Sequence, residues 1–355
     1  MSTLMVLDGN SLLNRAFYGV KAPLTNSEGQ PTGALLGFLN ILLKLTEDHR
    51  PDALCVAFDL KAPTFRHDMY DGYKAQRKPM PEDLASQMPL CKELLDAMNI
   101  KRYELPGYEA DDLLGTVSRL CAEAGWDCAV VTGDRDAFQL VGPHVSVLHI
   151  SSRMGRTETI PYDEGAIQAE YGMTPHDLID LKALMGDASD NIPGVPGVGE
   201  KTALDLMHRF GSLSALYEGC EASDLKPGVK NKLAQGRASA ELSRKLAEID
   251  CHAPLPFAPE EARRAPYDTS ALSALLRRLE FRKLSEKLGL DTVPAPPTEP
   301  NAPRPPAFAP PPLREVTAPE ALSALLDTCK AAERVALLWS EDGSCLYLCV
   351  GGETA

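Results

Sequence analysis

Residues 3–13 read TLMVLDGNSLL, a short apolar run that stops at Asp8 and turns at once into a helical pattern. The arrangement recurs at 53–59 (ALCVAFD) and 128–136 (CAVVTGDRD), so three runs of strand length each end in aspartate. A fourth run, 145–150 (VSVLHI), has the same length and β-branched content. Helical patterns at 33–47, 82–98 (after Pro81) and 110–124 lie between them. Strand–helix alternation predicts an α/β fold, a parallel sheet covered by helices. From 174 to 290 leucines recur every three or four residues and no strand pattern appears, which predicts an α-helical subdomain. The expected division is 1–173 and 174–290.

The chain has 355 residues, 44% of them hydrophobic, with 36 basic and 50 acidic side chains and a net charge of −14. At ~100–200 residues per domain this predicts about two domains. The acidity argues against a general basic coat for nucleic acid or an anionic membrane surface, but leaves room for a local basic groove. No run reaches the ~18 uncharged apolar residues of a membrane span. The first apolar run has no basic stretch before it and is cut by Asp8, so no secretory signal is expected. Nine cysteines form no C-x-x-C pair and seven histidines no H-x-x-x-H. That pattern predicts no zinc site and suits a reducing cytoplasm. Residues 294–312 hold ten of the 29 prolines, so 291–312 reads as a semi-rigid linker. Residues 313–355 are too few for a core of their own and read as the start of a truncated further domain.

In an open parallel sheet the carboxyl ends of the strands line the ligand crevice. Asp8, Asp59, and Asp134 with Asp136, therefore converge there from chain-distant strands. Glu109, Asp111 and Asp112 open a helix in GYEADDLL, with Glu109 and Asp112 on one face. Asp187 and Asp190 share that spacing in MGDASDN. Singly, each acid is also ordinary capping or turn chemistry. Together, nine carboxylates in one crevice repel unless cations neutralise them. An all-oxygen donor set suits two Mg²⁺ or Mn²⁺ ions. The reaction class this implies is metal-dependent phosphodiester hydrolysis.

Residues 191–202, NIPGVPGVGEKT, approach a Walker A loop, but Glu200 follows Gly199, Lys201 comes one place late, and the segment before is helical. The better reading is a hairpin between two helices. Gly194, Gly197 and Gly199 would let amides approach a phosphate at the next helix's N-terminus, with Lys201 and Thr202 alongside. Such contacts hold nucleic acid without reading its sequence. Residues 61–80 carry a net charge of +3 interleaved with Phe65, Tyr70 and Tyr73, a composition suited to single-stranded nucleic acid. Residues 226–245 hold six basic residues against Glu241, which fits a solvated face almost as well.

LDGNSLLNRAFY, PLTNSEGQPTGALLGFLN, AFDLKAPTFRHDMYDGYKAQRKPMPEDL, GYEADDLLGT, TGDRDAFQL and LMGDASDNIPGVPGVGEKTA together resemble the flap endonuclease superfamily, in particular the 5′-nuclease domain of bacterial DNA polymerase I. The resemblance covers about 1–290. It implies a PIN-like core with an arch at about 61–90, followed by a helix–three-turn–helix. The implied activities are 5′→3′ exonuclease and 5′-flap endonuclease on branched or nicked duplex DNA and RNA primer–DNA junctions. It further implies a monomer in the bacterial cytoplasm at the nucleoid, away from membranes, with a polymerase domain in the full-length chain. By resemblance, the first metal falls on Asp8, Asp59, Glu109, Asp111 and Asp112, the second on Asp134, Asp136, Asp187 and Asp190. Lys74 and Arg77 would contact the scissile phosphate and, with Asp112 and Asp134, carry catalysis. Tyr73 would stack on an unpaired nucleotide, and Arg15 would face the substrate phosphate. Gly194, Gly197, Gly199, Lys201 and Thr202 would grip duplex DNA, with K⁺ on the hairpin carbonyls. Arg135 stands where the family often has lysine.

The stretch VTAPEALSALLDTCKAAERVALLWSED resembles the opening of a 3′→5′ exonuclease-like domain. Leu338 and Ser340 stand where active versions carry D-x-E, so a degenerate domain is expected. Two other readings share the chemistry or the surface: a PIN-like ribonuclease, and a catalytically silent DNA-junction binding module.

Overall fold

The computed structural model describes residues 1–19, 24–153 and 156–290, and the backbone of 335–339 and 346–350. The linker at 291–312, most of 313–355, and Ser340 lie outside the described residues. In chain order the elements are β1 (Thr3–Asp8), α1 (Gly9–Gly19), α2 (Gly33–His49), β2 (Ala53–Ala57), α3 (Phe65–Met69), α4 (Glu82–Ala85), α5 (Gln87–Ala97) and β3 (Lys101–Tyr103). There follow α6 (Ala110–Glu123), β4 (Asp127–Thr132), a 3₁₀ turn (Asp136–Leu140), β5 (Val145–Arg153), β6 (Arg156–Tyr162), α7 (Glu164–Tyr171) and α8 (Asp177–Met185). The remainder is α9 (Glu200–Phe210), α10 (Leu213–Gly219), α11 (Pro227–Ala247), α12 (Thr269–Arg278), α13 (Arg282–Lys287), β7 (Val335–Trp339) and β8 (Leu346–Val350).

The sheet runs β3-β2-β1-β4-β5-β6. Pairing is parallel from β3 to β5, and β6 closes the far edge antiparallel to β5. The sheet is therefore mixed, where the sequence predicts a parallel one. Only Met154 and Gly155 separate β5 from β6, and so short a connection can only reverse the chain. Strand β3 escapes a sequence reading because KRY is short, charged and at an edge.

Side chains on the central strands alternate between two cores, as the pleat requires. Met5, Leu7, Leu54, Val56 and Val131 pack towards α1, α2, α5 and α12, with Phe38, Leu42, Leu94 and Leu276. Leu4, Val6, Cys55 and Val130 pack towards α6 and α7, with Leu113, Val117, Phe138 and Ile167. Both faces are covered, which explains why these strands read as continuous apolar runs. A third core, with Leu184, Leu206, Leu216 and Leu233, joins α8 to α11. The helix expected over 82–98 is divided at Ser86. Pro89 has no amide to donate to Ala85, so the ladder breaks there. Contacts divide the chain into Met1–Pro296 and Pro297–Ala355; in the second, β7 and β8 pair antiparallel and Leu338 lies on β7.

Candidate active site

The carboxyl ends of β1, β2 and β4 and the first turn of α6 meet in one crevice. Asp8 is held from two sides: Oδ1 accepts from the Ser11 amide at 2.9 Å and Oδ2 from the Thr132 hydroxyl at 2.8 Å. Burial, reinforced by the charges of Asp59 and Asp134 and opposed by those two hydrogen bonds, pushes its carboxyl up to about 7. Asp59, just past β2, accepts from the Ala110 amide at 2.8 Å, and its surroundings raise it too, desolvation first. Asp111 accepts no hydrogen bond among the described residues. Desolvation, then Asp8, Asp134 and Asp59, raise its carboxyl well above the usual range. These four acids repel one another across the crevice.

Facing them is the loop 70–77. Lys74 Nζ donates to Glu109 Oε1 at 2.7 Å and stands 3.7 Å from Asp190 Oδ2. The Arg77 guanidinium pairs with Asp190 Oδ1. Lys74 has a φ of 54°, left-handed for a lysine, and its amide donates to the Asp190 carbonyl at 2.9 Å. Asn191 Nδ2 donates to the Gly72 carbonyl at 2.6 Å. Tertiary contacts over-determine a costly backbone here, as recurs at functional sites.

The second acid pair carries its own cation. The Lys182 ammonium contacts both carboxylate oxygens of Asp136, and Asp187 Oδ2 at 2.6 Å. Burial, with Asp134 and Asp187, outweighs Lys182 and raises Asp136 to about 6. At Asp187 burial is overcome by Lys182 and by Ser189, which donates its amide and hydroxyl to Oδ1, and the carboxyl falls to about 2. Asp134 faces Asp8 and Asp111 as well as Asp136. Ser189 Oγ links Asp187 Oδ1, at 2.7 Å, to Asp190 Oδ1, at 3.3 Å, and Asp190 also meets Lys74 and Arg77.

Two expected site residues point elsewhere. Asp112 is fully buried, and Arg66 Nη1 and Nη2 clamp both its oxygens at 2.8 Å. The amides of Glu109 and Asp250 complete its partners at 3.0 and 2.9 Å. One residue along a helix is a rotation of about 100°, so Asp112 turns into the protein while Asp111 faces the acids. Tyr73 is 3% exposed, and its hydroxyl donates to Glu109 Oε2 at 2.9 Å. In this conformation its ring is covered and cannot stack on a nucleotide. Arg15 lies beside the crevice, its Nη2 donating to the Gly133 carbonyl at 3.2 Å. Arg135 pairs outside it with Glu170 at 2.9 Å.

Among the described residues no three His, Cys, Asp or Glu side chains stand close enough to share one ion. The chemistry of the donors still fits hard divalent cations: every donor is a carboxylate oxygen, and the acids are buried against their own repulsion. The hairpin fits K⁺ poorly. The Gly197 carbonyl accepts from Lys232 Nζ at 2.8 Å and the Gly194 carbonyl from Ser239 Oγ at 2.6 Å, and an ammonium at one of these oxygens opposes a second cation.

Two family descriptions match the chain: "5′-3′ exonuclease, N-terminal resolvase-like domain" over residues 3–172, and "5′-3′ exonuclease, C-terminal SAM fold" over 173–270. The chain belongs to the 5′-3′ exonuclease family. This 5′-3′ exonuclease is 40% identical over 290 residues to DNA polymerase I of Caldicellulosiruptor bescii, 82% of this chain and 34% of that one. It is 40% identical over 292 residues to DNA polymerase I of Bacillus subtilis, 82% and 33% of the two chains. It spans about a third of the length of these relatives. A structure described as divalent metal ions (zinc) bound to T5 5′-exonuclease matches with a TM-score of 0.58 at 19% identity, covering 81% of this chain and 99% of that one. The catalytic core of Rad2 in complex with DNA substrate matches with a TM-score of 0.54 at 18% identity, covering 81% and 92%. Both share the fold.

Sequence reasoning about the exonuclease misses Arg66 and Lys182. Arg66 counts there only as part of a basic patch, and Lys182 sits inside the helical run DLIDLKALMG. Its place five residues before Asp187 is the one available hint. The three hairpin glycines also prove unequal. Gly194 has a φ of 62° and Gly197 of 78°. An added Cβ on Gly194 would lie 2.4 Å from the Gly186 nitrogen, whereas nothing lies within 4 Å of one on Gly199. The Gly194 amide is already donated to Ser243 Oγ at 2.9 Å, so it is not offered to a phosphate. Gly199 starts α9 with no side-chain cap, which leaves first-turn amides beside exposed Lys201 and half-buried Thr202.

Proposed function

We propose that this exonuclease domain is a structure-specific, sequence-independent 5′ nuclease. It removes 5′ flaps, nicked 5′ strands and RNA primers from duplex DNA, as the N-terminal part of a DNA polymerase I acting at the bacterial nucleoid. The observation that carries this reading is the placement of Lys74 and Arg77 on the loop 70–77, paired with Glu109 and Asp190 and close enough to Asp59 for both charges to act on it. In our reading Asp8, Asp59, Glu109, Asp111 and Asp134 would draw together to hold one divalent ion, Mg²⁺ or Mn²⁺. Asp136 and Asp187, with Asp190 tied to Asp187 through Ser189, would hold the other. Bound there, the ions supply charge neutralisation and an activated water.

The chain's own residues do the rest. Lys74 and Arg77 transfer their hydrogen bonds from Glu109 and Asp190 to the phosphodiester oxygens, where their charge is worth most as negative charge builds. Arg15 bounds the phosphate on the side of Gly133. Asp112 and Arg66 lock the first turn of α6, so that Glu109 and Asp111 are presented together. Tyr73 can stack on an unpaired nucleotide only once the loop 70–77 lifts from Glu109. The amides opening α9, with Lys201 and Thr202, hold the duplex through its backbone.

The test is a labelled double-flap DNA incubated with the chain in Mg²⁺ and in EDTA. The expected outcome is a 5′-phosphate product cut at the junction in Mg²⁺ alone. Equal cleavage in EDTA, or faster cleavage of an RNA hairpin than of the flap, would overturn the reading.

A further inference from the structure

A cleft separate from the acids lies where α1 crosses α2 beneath β6. The helices touch at Ala16 and Gly37, where an added Cβ on Gly37 would lie 2.8 Å from that of Ala16. Beyond the crossing they diverge around a cavity of about 250 Å³. Ala16, Ile41 and Leu45 form an apolar floor, and Arg15, Asn40, Lys44, Thr157 and Thr159 stand on the walls. Asn40, Ile41, Lys44 and Leu45 share one face of α2 by their three- and four-residue spacing. Among the described residues the side chains of Asn40, Lys44, Thr157 and Thr159 make no hydrogen bond or ion pair within the fold. Among the described residues the lining carries two positive charges, Arg15 and Lys44, and no acid, in a chain whose net charge is −14. Arg15 joins this cleft to the crevice. Its guanidinium packs so closely on Gly133, the residue before Asp134, that a Cβ there would meet Nη2 at 2.5 Å.

We propose that this cleft is a nucleotide subsite. It takes one nucleotide of an unpaired strand, with its phosphate between Arg15 and Lys44 and its base on the floor of Ala16, Ile41 and Leu45. The shape decides the occupant. An apolar floor suits the flat face of a base, two cations suit a phosphate, and the hydroxyls and amide on the walls suit sugar and base edges. The volume, just below the ~300–1,000 Å³ of ordinary ligand pockets, admits a single nucleotide and excludes a duplex. Tyr18, next to Gly19 at the mouth and 71% exposed, offers a face to the neighbouring base. The subsite rests on the nuclease reading above, and gives a cut strand a fixed place one step from the scissile phosphate.

The full chain, held in EDTA so that no cleavage occurs, is mixed with 5′-flap DNA carrying 5-iodo-2′-deoxyuridine at successive positions, irradiated and peptide-mapped. The expected result is a cross-link from an unpaired nucleotide at the junction to residues 37–45 or 157–159. Lys44→Glu, an exposed side chain without a partner, should weaken flap binding about tenfold and leave unflapped duplex unchanged. Thr159→Trp, which fills the cavity without changing charge, should abolish the same cross-link. Cross-links to this cleft from paired nucleotides only, or none there at all, would overturn the proposal. So would an equal effect of Lys44→Glu on flap and duplex, which would mark general electrostatics. Failure to cut flaps in Mg²⁺ would sink the nuclease reading and leave the cross-linking result standing on its own.

Discussion

Asp111 and Asp112 are indistinguishable in the sequence and opposite in the structure. Asp112 has four hydrogen bonds, two of them from Arg66, whereas Asp111 accepts none among the described residues and is buried among Asp8, Asp134 and Asp59, with the charge of Lys74 opposing them. Substitution should separate them. Arg66→Met leaves a buried carboxylate without its cation and should cost about 3–5 kcal/mol in urea unfolding. Asp112→Asn should destabilise through the same pair and lose cleavage as α6 loosens. Asp111→Asn removes a mutually repelling charge and should leave thermal stability in EDTA unchanged or raised, while Mg²⁺-dependent cleavage is lost. Equal melting losses for Asp111→Asn and Asp112→Asn would show that the two side chains are not divided in this way. The sequence announces that acids gather here. It does not announce which of two adjacent carboxylates turns inward, because that depends on Arg66, 46 residues away.

At the scale of elements, what was legible follows from periodicity and what was not follows from tertiary contact. The strands ending in Asp8, Asp59 and Asp134 are apolar on both faces and stand out, whereas β3 and β6 lie at edges and lack that signal. The hairpin 191–202 shows the same divide. Its glycines are equivalent on paper, but only contact with Gly186 makes Gly194 irreplaceable. Gly194→Ala should therefore cost at least ~2 kcal/mol, combining left-handed backbone with a clash against main chain. Gly197→Ala should cost about 1–2 kcal/mol, since the atom its Cβ meets is the movable end of Lys232, 3.0 Å away. Gly199→Ala, with extended backbone and open space, should cost under about 1 kcal/mol. Urea unfolding of the three variants gives this order, and a flat series would refute the account of the hairpin. Anisotropy with labelled duplex should follow the same ranking, because the hairpin's shape sets where the α9 amides point.

Across the whole molecule, the acidity has a location. Residues 291–355 contribute −5 to the net charge of −14, leaving −9 on residues 1–290, the same number as the carboxylates singled out from the sequence. Without a divalent ion these acids oppose folding at neutral pH, and the sign follows from their shifts. The Asp8 carboxyl stands at about 7 and that of Asp136 at about 6, against an ordinary 3.8. Between about pH 4 and 7 the folded chain therefore holds protons that the unfolded chain has released, and stability falls as pH rises through that window. Asp187, held down to about 2, acts the other way, but its contribution is lost only below about pH 4. In EDTA the melting temperature should drop between pH 5 and pH 7.5, by about 2–4 °C for each kcal/mol lost. Mg²⁺ should recover more of it at pH 7.5 than at pH 5, since an ion binds the deprotonated acids. A melting temperature that rises with pH in EDTA would mean the acids are not mutually buried. Recovery independent of pH would place the ion somewhere other than on these carboxylates.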